Sequence, residues 1–167
     1  MILAFDTYYR GKKAKTVCIG FDHWTDTEPK IVYHDTMEVE NDYEPGAFYK
    51  RELPCILRLL KKIKVKEIEL ILIDGFVVLD DQGKYGLGGY LYERLDKHIP
   101  VAGVAKTDFR RNRSNKKEVF RGKSKKPLFV TALGIDVELV SEKIKNMHGE
   151  YRIPALLKHL DRLTKEY

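Results

Sequence analysis

The chain has 167 residues, of which 43% are hydrophobic and 34% are charged, the balance expected of a globular protein with a buried core. Its apolar runs are shorter than the roughly 20 residues of a membrane-spanning helix, which argues against a membrane protein. The N-terminus lacks the basic start and the cleavage site of a signal peptide, so we expect a cytoplasmic location.

The first quarter of the chain predicts three strands. Apolar and β-branched runs cover residues 2–6, 15–22 and 30–35, and turn-rich segments separate them. Because the connections are short, we expect an antiparallel meander, with Asp6 at the end of the first strand.

The remaining segments are expected to alternate between helices and strands. In chain order they are a helix over 47–64, a strand over 67–74, a glycine-rich loop over 83–89, a helix over 90–97, strands over 100–105 and 127–132, and helices over 137–147 and 154–165. Helix-linked strands lie parallel, so the pattern predicts an α/β fold with a mixed sheet and helices on both faces. This is the layout of a ribonuclease-H-like domain, which we expect to fill residues 1–167 as one domain.

The first predicted strand and the predicted strand over 67–74 each end in an aspartate. Asp6 follows the apolar residues 2–5, and Asp74 follows the apolar run 68–73. In the expected topology these strands are parallel neighbours, so the two carboxylates emerge side by side. Such acids repel each other and lose hydration, and a divalent cation relieves both costs. The alternative is that each aspartate only caps a loop.

A third carboxylate lies on the predicted helix that follows the meander. Glu52 shares an apolar helix face with Phe48, Cys55 and Leu59, which are spaced by three or four residues. A carboxylate on that face needs a partner, either a metal ion or a buried basic side chain. Pro54 leaves a further alternative, in which the helix starts near residue 53 and Glu52 only caps it.

Basic residues concentrate between Lys106 and Lys126, where ten Lys or Arg accompany two acids, for a net charge of +8. Self-repulsion predicts a mobile loop that binds DNA or RNA, and the alternative is a solvated loop. Lys106 ends the strand before it and is either a catalytic ammonium at the carboxylates or simply the first charge of the loop. The predicted phosphate contacts are Arg110, Arg111, Arg113, Lys116 and Lys117.

Five segments, in the same order along the chain, together resemble the endonuclease V family. They are Phe5-Asp6, the stretch from Tyr43 to Pro54, Ile73-Asp74-Gly75, Gly103-Val104-Ala105-Lys106, and Gly149-Glu150-Tyr151-Arg152-Ile153-Pro154. That family has a ribonuclease-H-like fold and cleaves nucleic acid near deaminated adenine. The resemblance therefore implies a DNA-repair type of endonuclease that acts at inosine or deoxyinosine.

The resemblance also implies roles for individual residues. It makes Asp6, Glu52 and Asp74 metal ligands and Lys106 the catalytic lysine. It further implies contacts with a wedged-open strand and an everted base. The residues that would make them are Tyr43, Pro45, Gly46, Gly75, Gly86, Gly88 and Gly89.

The chain departs from the family pattern in several places, one of which is the absence from residues 76–79 of the histidine that normally follows the Asp-Gly step. The family's histidine before the penultimate helix is absent from residues 131–137, and Asp136 is either a replacement ligand or the N-cap of the helix that follows. The wedge reads Asp42-Tyr43-Glu44-Pro45, whose two added acids should repel phosphate. The segment near the base pocket reads Gly86-Leu87-Gly88-Gly89-Tyr90 and lacks the family's serine and histidine.

We therefore predict a Mg²⁺-dependent endonuclease, with Mn²⁺ as the alternative ion, that acts on DNA or RNA as a monomer. Two other classes stay open. One is a nuclease of the same fold with a different substrate. The other is a nucleic-acid-binding relative that has lost the activity.

Overall fold

The computed structural model describes residues 1–39 and 48–166. Within them the chain forms seven strands: β1 (Ile2–Arg10), β2 (Lys13–Phe21), β3 (Ile31–Glu38), β4 (Leu70–Asp74), β5 (Val101–Ala105), β6 (Lys117–Val119) and β7 (Leu128–Leu133). The helices in the same residues are α1 (Tyr49–Leu60), α2 (Leu87–Arg94), α3 (Val137–Lys145) and α4 (Ala155–Lys165). The wedge residues Tyr43, Pro45 and Gly46 lie outside the described residues.

All seven described strands form one mixed sheet in the order β3-β2-β1-β4-β5-β7-β6. The first three strands pair antiparallel, which confirms the predicted meander. β4 then pairs parallel to both β1 and β5, whereas β7 runs antiparallel to β5 and β6. The predicted α/β class and mixed sheet are therefore confirmed.

Successive side chains of the central strands point alternately into two separate apolar layers, one on each face of the sheet. Ala4 and Leu72 point into the layer that α3 and α4 cover. Phe5 and Ile73 point into the layer that α1 and α2 cover. Helices thus pack on both faces of the sheet. Because side chains alternate along a strand, even-numbered residues of β1 and β4 point towards α3 and α4, and odd-numbered residues point towards α1 and α2.

β1 is longer than predicted, and this changes the position of Asp6. The strand continues to Arg10 because β2 pairs with it along its whole length, down to Arg10↔Lys13. The parallel pairing with β4 stops earlier, at Phe5↔Ile73. The prediction that Asp6 ends its strand is therefore wrong: Asp6 lies inside β1, at the point where β1 loses its parallel neighbour.

Two further differences concern α1 and the basic segment. α1 begins at Tyr49 and contains Pro54, so Glu52 is a helical residue and not a cap. Pro54 has no amide hydrogen and therefore cannot donate to the carbonyl one turn earlier in α1. Because Pro54 lies on the exposed side of the helix, that carbonyl is accessible to water. The basic segment also contains the short edge strand β6, which the prediction of a continuous loop missed.

Candidate active site

Asp6 and Asp74 are brought together by the register of β1 and β4. Phe5 pairs with Ile73, so the next residue in each parallel strand is an aspartate. Both aspartates continue the parity of residues that point towards α4. The predicted side-by-side placement of these two carboxylates is therefore what the register produces.

The turn after Asp74 is shaped by two glycines. Gly75 has a φ of +116°, a backbone conformation that residues other than glycine rarely adopt. The carbonyl oxygen of Gly75 lies 2.3 Å from the position that a Cβ on Gly103 would take. Only glycine at 103 lets β5 lie this close to the turn. The contact between Gly103 and Gly75 therefore helps to set the position of Asp74 at the end of β4.

Lys106 follows β5 directly and faces the same cavity as the two aspartates. It lines this cavity together with Asp6, Asp74 and Asp161. Its ammonium lowers the pKa of both Asp6 and Asp74, although burial raises those values more. The exposed Lys106 side chain therefore provides positive charge at the rim of an acidic cavity.

Glu52 approaches the aspartates from the opposite layer. It lies on α1 among the buried residues Leu53, Cys55 and Ile56, and its side chain is only 5% exposed. Burial raises the pKa of Glu52 well above its usual range, and the negative charges of Asp6 and Asp74 raise it further. Cys55 and Leu59 are buried on the same face as predicted, whereas Phe48 is the N-cap of α1 and is 44% exposed, so its place on that face is a wrong prediction. The Glu52 carboxylate interacts with both aspartates.

The carboxylates destabilise one another's charged forms. Burial, followed by the charge of Asp74, raises the pKa of Asp6 to about 7, despite a hydrogen bond of 2.9 Å from the Thr7 amide to Asp6 Oδ1. Burial also raises the pKa of Asp74. The site thus holds three acids whose negative charge is poorly compensated by the protein.

The same acids do not form a closed ligand shell. Within residues 1–39 and 48–166, no group of three or more His, Cys, Asp or Glu side chains is placed to hold a metal ion as it stands. The donor set is nevertheless the one that Mg²⁺ and Mn²⁺ prefer, since every candidate ligand supplies carboxylate oxygen. The residues fit a hard divalent cation in their chemistry and in their shared negative potential.

Asp161 is an acid of the cavity that sequence reasoning missed. It lies on α4, lines the cavity, and its charge raises the pKa of both Asp6 and Asp74. Lys165, one turn later, is 3.0 Å from Asp161 Oδ2. One signal was available, because Asp161 falls four residues after Leu157, on the edge of the predicted apolar stripe of that helix.

The position of Lys106 is maintained by Arg152. The guanidinium of Arg152 donates to the main-chain carbonyl of Lys106 and, at 2.7 Å, to that of Pro127. It therefore ties the end of β5 to the start of β7. The segment that carries Arg152 is held in turn by Arg121, which donates to its carbonyls from a buried position.

Asp136 is placed differently from the other candidate ligands. It is the N-cap of α3, and its Oδ1 accepts a hydrogen bond of 2.9 Å from the Glu138 amide. It is exposed and does not line the cavity that holds Asp6 and Asp74. Of the two readings of Asp136 that the sequence allows, the observed geometry is that of the helix cap.

The basic segment makes polar contacts with the loop that follows β4. Asn112 is fully buried and donates to the Val78 carbonyl at 2.9 Å. Asp81 accepts hydrogen bonds from the amides of Arg113 and Ser114. These contacts offset the self-repulsion of the segment and dock it onto the loop after β4.

The five basic side chains proposed as phosphate contacts fall into two groups. Lys116 pairs with Asp108, and Lys117 is 3.2 Å from Glu138. The side chains of the other three are exposed; they are Arg110, Arg111 and Arg113. The arginines therefore offer the more accessible positive charge.

The glycine-rich segment 86–89 is approached by the protein itself. A Cβ on Gly86 would lie 2.5 Å from the Phe76 carbonyl oxygen. Cβ atoms on Gly88 and Gly89 would lie 2.5 Å from Val77 and from the Tyr85 ring, respectively. The helix α2 also begins inside this segment, at Leu87 and not at residue 90 as predicted. Much of the space that glycine leaves here is therefore used for packing.

The structure resembles several solved nucleases. Endonuclease V of Ciona intestinalis, solved with a 24mer DNA that contains an inosine followed by a ribo-adenosine, matches with a TM-score of 0.78 and 17% identity, over 98% of this chain and 83% of that one. Bacillus subtilis endonuclease V matches with a TM-score of 0.76 and 20% identity, over 98% and 77% of the two chains. Marinitoga piezophila Argonaute, in complex with guide RNA and target DNA, matches at 0.56 with 12% identity, over 99% of this chain and 29% of that one. These likenesses confirm the ribonuclease-H-like fold.

Sequence comparison gives the family. No curated protein matches the chain. Among the described residues no helix is long and apolar enough to cross a membrane. The family model of endonuclease V matches residues 1–128, which include Asp6, Glu52, Asp74 and Lys106. Since this match covers most of the sequence, the chain belongs to the endonuclease V family, a family of nucleases that act on nucleic acid.

Proposed function

We propose that this protein is a metal-dependent endonuclease that hydrolyses a phosphodiester bond near inosine in DNA or RNA. The observation that carries the proposal is that Asp6 and Asp74, from two neighbouring strands, line one cavity, and that Glu52, from a helix on the other face, interacts electrostatically with both. Burial raises the pKa of each of the three, and the charge of at least one neighbouring carboxylate raises each value further. A folded protein tolerates such a group of acids best when a cation binds it.

Asp6, Glu52 and Asp74 would hold the ion, and Asp161 on the α4 side would add further negative charge. Bound there, a divalent cation supplies Lewis-acid chemistry, since it polarises the phosphate and lowers the pKa of water. Mg²⁺ suits a site of carboxylate oxygens, and Mn²⁺ has the same ligand preference.

Lys106 would provide the positive charge that the carboxylates cannot. Its ammonium is at the cavity rim, where it can bind a phosphate oxygen and stabilise negative charge as the phosphodiester bond breaks. Arg152 assists by fixing the main chain of Lys106, so the ammonium is oriented before substrate arrives. The exposed Arg110, Arg111 and Arg113 would bind phosphates away from the cut.

Inosine is the substrate that the family resemblance favours, and the glycine segment favours an alternative. Because Val77 and Tyr85 pack closely on Gly88 and Gly89, the part of the chain that corresponds to the family's base-pocket region leaves little room for a base. A nuclease of the same fold that recognises another lesion or a strand structure is therefore the second candidate.

The test is a cleavage assay with the purified chain and matched oligonucleotides. DNA and RNA strands, single and duplex, carry either one inosine or adenosine at the same position. Each is incubated with Mg²⁺, with Mn²⁺ or with EDTA. Cuts that appear only with a divalent ion and only next to inosine support the proposal. Cuts that depend on a divalent ion but appear in the inosine and the adenosine oligonucleotides alike favour the second candidate. Binding without any cut contradicts both candidate functions.

A further inference from the structure

One aromatic side chain is left unusually open beside the catalytic cavity. Tyr151 is 71% exposed, whereas the other exposed large hydrophobic side chains of the described residues are at most 52% exposed. An aromatic ring of this size buries a large apolar area when it is covered, so leaving it in water forgoes that stabilisation. The exposure of Tyr151 suggests that the ring has a ligand.

The main chain on either side of Tyr151 is held firmly in place. Its carbonyl accepts a hydrogen bond from Arg121, and the Gly149 carbonyl accepts another of 3.1 Å from the same guanidinium. Arg152 is tied to the Pro127 carbonyl at 2.7 Å. A ring presented by such a segment loses little main-chain entropy when it stacks on a ligand.

Tyr151 lines a shallow cavity of its own next to the catalytic one. The lining of this second cavity, which we call the Tyr151 cavity, includes His148, Glu150, Tyr151, Ile153, Lys158 and Arg162. Ile153 also lines the catalytic cavity. On α4, Leu157 and Asp161 line the catalytic cavity while Lys158 and Arg162, each one residue later, line the second one. The two cavities therefore lie side by side along α4.

The charges of the Tyr151 cavity suit a nucleic-acid strand. Lys158 Nζ lies 5.9 Å from the centre of the Tyr151 ring, and Arg162 lies one turn further along the same helix. Glu150 is the opposing charge among the lining residues. An aromatic ring flanked by cations is the usual combination for unpaired nucleotides, since the ring stacks on a base and the cations bind phosphates.

We infer that Tyr151 stacks on an unpaired base of the strand whose phosphate occupies the catalytic cavity, with Lys158 and Arg162 bound to the adjacent phosphates. This inference rests on the proposed function. It makes single-stranded or locally opened nucleic acid the preferred ligand, because a base within a duplex has no free face for the ring. The cation–π contact between Lys158 and Tyr151 contributes only about 0.5–1 kcal/mol at an exposed site. Two side chains can make this contact without a cavity between them, so the contact alone does not explain the Tyr151 cavity.

The test measures binding and not cleavage. A fluorescein-labelled short single-stranded oligonucleotide is titrated with the full chain in EDTA, and its anisotropy is recorded; a gel confirms that it stays intact. Tyr151→Leu is expected to weaken binding roughly tenfold, the effect of losing about 1.4 kcal/mol of stacking. Tyr151→Phe keeps the ring and should bind within twofold of the wild type, roughly the measurement scatter.

Val32→Ala is the control. Val32 is 47% exposed on the edge strand β3 and lines neither the catalytic cavity nor the Tyr151 cavity. Its substitution should leave binding unchanged. Equal weakening by Val32→Ala, equal weakening by Tyr151→Phe, or unchanged binding by Tyr151→Leu each overturns the inference.

An abasic scan of the oligonucleotide places the stacked base. With the wild-type chain, removal of one base should weaken binding at one position, and with Tyr151→Leu the same removal should have no effect. Equal losses in both proteins overturn the inference even if the substitution disturbs the fold. Failure of the proposed function looks different: the wild type then cuts no strand with Mg²⁺ while the effect of Tyr151→Leu on binding persists.

Discussion

The protein buries charge in two regions, and it treats them in opposite ways. Arg121 is 4% exposed and donates to the main-chain carbonyls of Lys145, Met147, Gly149, Tyr151 and Arg152. Glu52 is equally buried at 5%, yet its neighbours Asp6 and Asp74 only add to its electrostatic cost. A charge that the fold satisfies supports structure, whereas a group of charges that repel one another is ready to bind a cation.

The largest effect is expected on activity, at the repelling acids. Asp74→Asn should reduce cleavage about a thousandfold, the equivalent of roughly 4 kcal/mol in the barrier, because one of three charged ligands is lost. Its melting temperature should not fall, since a repulsion is removed. Asp26→Asn is the control: Asp26 accepts hydrogen bonds from the amides of Asp22 and His23, away from the cavity.

This first prediction separates a metal site from a mere acidic cleft. Asp26→Asn should cleave at the wild-type rate under the same conditions. If Asp74→Asn also cleaves at that rate, the carboxylates do not hold the ion, and the proposed function loses its main support.

The satisfied charge should show the reverse behaviour. Arg121→Met leaves several carbonyls without their donor and releases the 147–152 segment, so the free energy of unfolding should fall by about 3 kcal/mol. Urea denaturation measures this loss. Arg121→Lys keeps the charge but not the branched donor geometry, so its free energy of unfolding should lie between those of the wild type and Arg121→Met. A loss of less than about 0.5 kcal/mol for Arg121→Met, the range of ordinary surface substitutions, would contradict a structural role for Arg121.

Sequence patterns were sufficient for the parts of the site that follow strong periodicity. The apolar runs before Asp6 and Asp74 predict neighbouring strands, and the spacing of Glu52 with Cys55 predicts a buried helix face. These positions depend on local patterns and on one topological rule. Asp6 and Asp74 could therefore be paired from the strand pattern, whereas the role of Glu52 as a ligand beside them came from the family resemblance.

The parts that were missed depend on tertiary contacts. Asp161 is one acid on an amphipathic helix whose leucines already account for the pattern, and its position four residues after Leu157 is the one weak local signal. β6 has three residues, two of them charged, and exists only because β7 offers a free edge. The last residues of β1 are polar, and their strand conformation comes from pairing with β2.

A smaller effect is expected in the pH dependence of stability without divalent ions. The pKa of Asp6 rises from 3.8 to about 7 on folding, so the native state keeps a proton that the unfolded state loses. The free energy of unfolding should therefore fall as the pH rises from about 4 to about 7. Asp6→Asn should flatten this slope and stabilise the protein at pH 8 by roughly 1–2 kcal/mol.

Thermal melts across this pH range, in EDTA, check the prediction. Asp81→Asn is the control with the opposite sign, since hydrogen bonds from Ser114 and Arg113 lower the pKa of Asp81. Its loss should not stabilise the protein at pH 8. A wild-type stability that rises steadily between pH 4 and pH 7 would show that the repulsion among the acids is weaker than the geometry indicates.

The smallest effect is expected at Asp136, where the cap and the ligand hypotheses can be separated by two substitutions. Asp136→Ala removes the acceptor for the Glu138 amide and should cost about 1 kcal/mol in the free energy of unfolding. Asp136→Asn keeps a good cap but removes the charge, so both stability and cleavage rate should stay near the wild type. An asparagine variant that melts normally but cleaves far more slowly would instead make Asp136 a ligand, and would require α3 to approach the carboxylates when nucleic acid binds.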